Sequence, residues 1–202
     1  MKLTQLFQVA AMIVFVGCSN INPDGVDVTE LRPDERGFVA GLGIESQDLV
    51  AIAEKMARSL VGIPEIANAQ GQPKIVLEPV LNETRFPINK SLFLDRIRVT
   101  LSKNAQGKLV FLSRERIDAL EKERELKLSG KVTGGENIKA NEFQGADFIL
   151  TGKLSGISSR GTKGQSEYIL YNFQLLDPRT SKIVWEDFAE IKKQGKDDAA
   201  YR

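Results

Sequence analysis

Roughly the last sixty residues constrain the fold more than anything before them. "GADFILTGKLSGISSRG", "SEYILYNFQLLD" and "KIVWEDFAEIKK" are rich in Ile, Leu, Tyr and Phe, and predict three long strands in a meander. In the middle run Tyr171, Phe173 and Leu175 alternate with Asn172 and Gln174. That period of two describes a half-buried strand with one polar face. "DPRTSK", Asp177 to Lys182, predicts a tight hairpin turn, with Pro178 second and Ser181 where glycine would sit more easily. Trp185, between Val184 and Glu186, is expected in the core.

The region before the meander predicts what covers it. Leu49, Ile52, Ala53, Met56 and Leu60 form one apolar stripe at helical spacing, with Glu54 and Lys55 outside it. Ser46 is the expected N-cap, Asp48 favours the positive end of the helix dipole, and Gly62 and Pro64 stop the helix. "KIVLEPVLNET" begins as a strand with Ile75 and Leu77 on one side, and Pro79 limits its ladder. A second helix carries Phe93, Leu94, Ile97 and Leu101. A short strand, Leu109 to Leu112, leads to a third helix capped by Ser113, whose many charges form a solvated face. Lys127 to Glu136 reads as a mobile loop, with a brief helical piece around Ile138 to Phe143 after it. The layout is an α+β or α/β domain: a mixed sheet with helices packed on it.

Absences narrow the chemistry. The chain has no histidine, which removes a Ser-His-Asp triad, a Cys-His pair and His-containing metal sites. Cys18 is the only cysteine, so no intramolecular disulfide and no thiolate cluster can form. Basic and acidic residues nearly balance, 28 against 27, without the surplus of cations that nucleic-acid binding needs. Gly41-Leu42-Gly43 before a helix suggests a dinucleotide loop, but its context is wrong. Only "GFVA" precedes Gly41, Ser46 stands where a third glycine belongs, and the next strand starts at about Lys74, too late for an acidic ribose contact. The glycines are expected to turn the chain sharply into the domain. No cofactor and no small-molecule substrate is expected.

The N-terminus reads as an export signal. In "MKLTQLFQVAAMIVFVGCSN", Lys2 precedes an apolar run, Val9 to Val16, that is too short to span a bilayer. Gly17-Cys18 closes it in the manner of a bacterial lipobox, although Phe15 and Val16 depart from the commonest pattern. Residues 1–17 are then a lipoprotein signal peptide, and Cys18 is the lipidation site, carrying a diacylglycerol on sulfur and an acyl chain such as palmitate on its new amine. An ordinary export signal with a buried cysteine is the alternative. Several acyl chains hold a protein on a membrane nearly permanently, at about 0.8 kcal/mol for each buried methylene. Ser19, in place of aspartate, leans towards the outer membrane. Residues 18–37 read as a lipidated cysteine and flexible tether, and 38–202 as the globular domain. Nineteen residues, Ser19 to Gly37, reach at most about 65 Å stretched and about 25 Å as a coil.

"VAGLGIESQDLVAIAEKMARSLV", "ADFILTGKLSGIS" and "YNFQLLDPRTSKIVWEDFAEIKK", together with the Cys18 signal, resemble the LpoB family of lipoprotein activators of penicillin-binding proteins. The similarity runs over residues 38–193. It implies a fold like the N-terminal domain of TolB and a non-enzymatic role. Tethered on the periplasmic face of the outer membrane, such a protein reaches through the peptidoglycan to the regulatory domain of a bifunctional penicillin-binding protein. Binding there stimulates peptidoglycan synthesis and so influences cell shape. The spacer here is shorter than the Pro- and Gln-rich one of enterobacterial members.

Two other readings stand beside this one. A lipoprotein component of an envelope or secretion assembly related to the curli-secretion family would share the anchor, but no long amphipathic hairpin pair for a transmembrane barrel is present. An enzyme using paired carboxylates would draw on Glu78, Glu83, Asp147 and Asp187, none framed by a cleft signature. For an adaptor, polar and aromatic anchors on a rigid surface are expected. The candidates are Arg160, Tyr168, Glu186 and Asp187, on the final strands and their turns.

Overall fold

In a computed structural model, the residues described are 29–37, 39–133 and 143–196. The chain divides into two units, Met1–Leu31 and Arg32–Arg202, and every helix and strand below belongs to the second. The expected signal peptide (1–17), residues 18–28 of the expected tether, and all but Phe143 of the helical piece expected around Ile138 to Phe143 lie outside the described residues; Phe143 itself is not helical.

Helix α1 spans Ser46–Val61, and Asp48, Val50, Ile52, Ala53, Met56, Ala57 and Leu60 are its buried residues. Its N-cap is Glu45 rather than Ser46. The reason is a local carboxylate relay: the Glu45 N–H donates to Asp48 Oδ2 (2.9 Å), while Glu45 Oε1 accepts from the N–H of Gly41 (2.6 Å). The chain therefore bends at Leu42 and Gly43, around the Glu45 side chain, and then enters the helix. Gly62 ends α1, and Pro64 opens a one-turn helix that the stripe did not announce, α2 (Pro64–Ala67).

Strands β1 (Lys74–Leu77) and β2 (Leu81–Glu83) flank Pro79 and both lie parallel beside β4 (Phe148–Gly161), so the proline interrupts one row of strand pairing. Helix α3 is Lys90–Ala105, with Asn89 accepting the Leu92 N–H (3.0 Å) as its cap. Then come β3 (Val110–Phe111) and α4 (Ile117–Leu128), which starts four residues after Ser113, with Arg116 as N-cap. Helix α4 has no buried residue, in keeping with its charges. It extends past Lys127, where a loop was expected to begin.

The sheet order is β3-β1-β4-β5-β6, with β2 also on β4. Its first half is parallel; β4, β5 (Gly164–Asp177) and β6 (Lys182–Gly195) form the antiparallel meander. The path steps out to β3 and back across β1. Ile75 and Val76, on opposite faces of β1, are both buried (0% and 6% exposed), where one-sided burial was expected. This mixed α+β architecture is the one the sequence layout implies.

The meander is covered on one face only. Phe93 of α3 stacks on Tyr171 (6.4 Å between centroids) and Phe173 (6.1 Å), and Trp185 Nε1 donates to Ser59 Oγ of α1 (3.0 Å). Phe173 also needs a glycine opposite: a Cβ on Gly152 would lie 2.5 Å from its ring. At the β5–β6 turn the Ser181 N–H donates to the Asp177 carbonyl (2.8 Å), and Ser181 takes φ 58°, the left-handed conformation where glycine would be easier.

Candidate partner-binding surface

Strand register sorts the side chains of the meander into two faces. Tyr168 pairs with Ile157 and Lys192, Asn172 with Lys153 and Phe188, and Gln174 with Thr151 and Glu186. These residues share the face turned away from α1 and α3. None of the meander residues on it is buried, and Ile157 (68% exposed), Ile183 and Phe188 stand among its polar groups. A half-buried antiparallel strand turns its polar positions to water. Here that polar side is a broad surface with one open depression, among Ile157, Ser159, Ser166, Tyr168 and Lys192.

Its polar groups are knitted across strands. Tyr168 Oη donates to Glu190 Oε1 (2.6 Å), and Glu186 Oε1 accepts from both Asn172 Nδ2 (2.8 Å) and Gln174 Nε2 (2.7 Å). Lys153 Nζ sits 2.7 Å from Glu83 Oε2. Hydrogen bonds from Gln174 and Asn172 hold the Glu186 carboxyl below the ordinary glutamate range, and the Lys153 contact does the same for Glu83. The bond to Glu190 pushes the Tyr168 phenol up. Side chains fixed in this way lose less freedom when a partner docks.

The four sequence candidates do not form one patch. Tyr168 and Glu186 share the open face. Arg160 pairs with Gln165 at the exposed far end of the β4–β5 hairpin, in register with the opposite face. Asp187, paired with Phe173, also faces the helices, where it lies 3.5 Å from Lys55 Nζ of α1. Of the carboxylates weighed for catalysis, Glu83 is paired with Lys153, and Asp147 Oδ2 accepts the Lys74 N–H (2.9 Å). Among the described residues no three His, Cys, Asp or Glu side chains group as a metal site, and no helix is long and apolar enough to cross a membrane.

Two ionic clusters built on buried carboxylates went unseen in the sequence. Lys193 Nζ contacts Asp48 Oδ2 (2.5 Å) and the Gly43 carbonyl (2.8 Å), fastening the glycine loop to β6. Glu167, only 3% exposed, accepts from Arg85 Nε (2.7 Å) and Ser158 Oγ (2.6 Å). The signal for both was a charge at an inward strand position: Glu167 keeps parity with Ile169, Tyr171 and Phe173.

A family model described as the peptidoglycan-synthase activator LpoB matches residues 48–191. The chain belongs to the LpoB family. The match runs from the first turn of α1 nearly to the end of β6, and so spans both the helical cover and the open face. Solved LpoB C-terminal domains from Salmonella enterica (13% identity, TM-score 0.44) and Escherichia coli (18%, 0.43) each align over 71% of this chain and 98% of their own. A Neisseria meningitidis lipoprotein, GNA1162, aligns over 63% of this chain and 88% of its own at 16% identity and TM-score 0.36. No curated protein sequence matches. The family is described as one of peptidoglycan-synthase activators.

Proposed function

We propose that this LpoB-family chain is an outer-membrane lipoprotein that binds the regulatory domain of a bifunctional penicillin-binding protein and raises its peptidoglycan-synthesising activities. Residues 1–17 direct export, Cys18 carries the lipid, and 18–37 form the leash. The globular domain, 38–202, makes the contact. The family match over residues 48–191 is the observation that carries this reading. The open face of the meander supports it as the docking surface, with Tyr168 and Glu186 as anchors, Phe188 and Ile157 as apolar contacts, and Arg160 at the far tip.

Activation in this scheme is a coupling free energy. The chain must bind the active form of the synthase more tightly than the inactive one, and each tenfold rise in the active-to-inactive ratio takes about 1.4 kcal/mol of that difference. Rigid polar anchors suit the task because they match one partner geometry and not another.

Reconstitution tests it. The full chain in detergent is added to a purified bifunctional synthase with its lipid-linked disaccharide–pentapeptide substrate, and glycan polymer and cross-links are followed. The expected result is faster polymerisation and cross-linking, reduced by Tyr168→Ala and Glu186→Lys. Failure of any bifunctional synthase of the same cell to bind or respond, with the lipid on Cys18 verified by mass spectrometry, would sink the reading.

A further inference from the structure

The outer edge of β6 is where a second copy of this chain could add a strand. A fourteen-residue edge strand, Lys182–Gly195, is long enough to template such pairing. At its centre, however, the backbone is already occupied. The Phe188 carbonyl accepts from Lys55 Nζ, reaching over from α1, and the Phe188 N–H donates to Asp187 Oδ1 (2.8 Å). Lys55 and Asp187 are themselves 3.5 Å apart, and the ammonium lies 5.4 Å from the centre of the Phe188 ring. Both main-chain groups of Phe188 are thus engaged away from β5. In an antiparallel strand the N–H and C=O of one residue point the same way and alternate along the chain. Glu186, Phe188, Glu190 and Lys192 therefore turn their main chain to the outer edge.

We propose that Lys55 and Asp187 act as a guard on this edge, and that what they exclude is a second copy of the same chain. The occupant follows from charge. In a two-fold antiparallel pairing centred on Ala189, residues whose numbers sum to 378 face each other. Glu186 then meets Lys192 twice, and Phe188 meets Glu190. Face parity and outward main-chain groups both match in this register. Centred on Phe188, the same strands would oppose Glu186 to Glu190 twice, which repels. The favourable register requires the Phe188 N–H and carbonyl, the two groups that Asp187 and Lys55 hold. Any partner that draws Lys55 away would open the edge and permit pairing.

The test is self-association of the full-length chain in detergent, by light scattering and sedimentation, with Trp185 fluorescence to verify the fold. Wild type is expected to be monomeric. Lys55→Ala and Asp187→Ala should each self-associate at least about tenfold more tightly. Adding Lys192→Glu should abolish that dimer, and adding Glu186→Lys to it should restore the dimer. Lys55 is half exposed, so its variant decides the matter even where the Asp187 variant folds poorly. A wild type that already dimerises through β6, guard variants that stay monomeric, or a dimer indifferent to position 192 would each overturn the proposal. None of these readouts requires the synthase, so they stand apart from the activation assay.

Discussion

Replacing Lys193 with methionine isolates the contact that holds the glycine loop onto the sheet. Methionine keeps the apolar stem and removes the ammonium, whose partners are Asp48 Oδ2 at 2.5 Å and the Gly43 carbonyl at 2.8 Å. The Lys193 side chain is 19% exposed and that of Asp48 8%, so the pair is mostly out of water. What remains is a carboxylate with the Glu45 N–H as its hydrogen-bond donor, near the buried Tyr171. The Tyr171 hydroxyl has no hydrogen-bond partner among the described residues. Its phenol is held well above the ordinary value by burial and, secondarily, by the Asp48 charge, so the Asp48 charge works against a second one beside it. Removing one member of a buried ion pair costs about 3–5 kcal/mol, and the partial exposure of Lys193 brings the expectation to about 2–3 kcal/mol. For a domain of this size that is a fall of about 5–10 °C in Tm. Trp185, the only tryptophan, lies on the same strand and reports unfolding by fluorescence in urea. Asp48→Asn should cost less, because the ammonium it leaves without a counter-ion is the more exposed partner and keeps the Gly43 carbonyl as acceptor. The double variant should then be less destabilised than the sum of the singles by about 1 kcal/mol or more. Hydrogen exchange should also quicken locally at Gly41 to Asp48. A loss below about 0.5 kcal/mol for Lys193→Met, with strict additivity in the double variant, would refute the reasoning.

Three further outcomes follow from named contacts. Gly152→Ala should destabilise by about 1–3 kcal/mol in urea unfolding, since its Cβ meets the Phe173 ring in a packed core. Ser181→Gly should stabilise by about 0.5–1 kcal/mol, because relief of a left-handed φ outweighs the added freedom of glycine in the unfolded chain. Glu186, observed by carboxyl NMR, should titrate below the ordinary glutamate value, and Gln174→Ala should move its midpoint upward. The sign is that of a depressed acid: the stabilisation is full above the unfolded-state value and is lost as pH falls through the folded one.

What the sequence displayed plainly was whatever repeats. The alternation around Tyr171, Phe173 and Leu175 marks β5 because burial on a pleated strand has a period of two, and the Ile52–Met56–Leu60 stripe marks α1 for the matching helical reason. Features set by single long-range contacts were hidden. Ser46 looked like a cap, yet Glu45 holds the position because its carboxylate reaches back to Gly41. Ser113 looked like another, and α4 waits until Ile117. Asp187 looked like a surface anchor. Its strand parity turns it to the helix side, where Lys55, read only as lying outside the apolar stripe, is its partner.

The same parity explains how one sheet serves two purposes. On β5 every odd residue from Glu167 to Asp177 is buried, and none of the even ones is. The odd face secures the fold, with Phe93, Trp185 and the Lys193–Asp48 pair behind it. The even face is left to carry Tyr168, Asn172 and Gln174, whose side chains contribute nothing to the core and can therefore be shaped by what they touch. A substitution there should alter binding with little change in stability, whereas one on the odd face should do the reverse. The edge at Phe188 is where the two requirements meet. Its main chain must be closed against other strands, yet its side chain lies on the face proposed for docking. Lys55 and Asp187 resolve the conflict from behind, by holding the backbone and leaving the ring exposed.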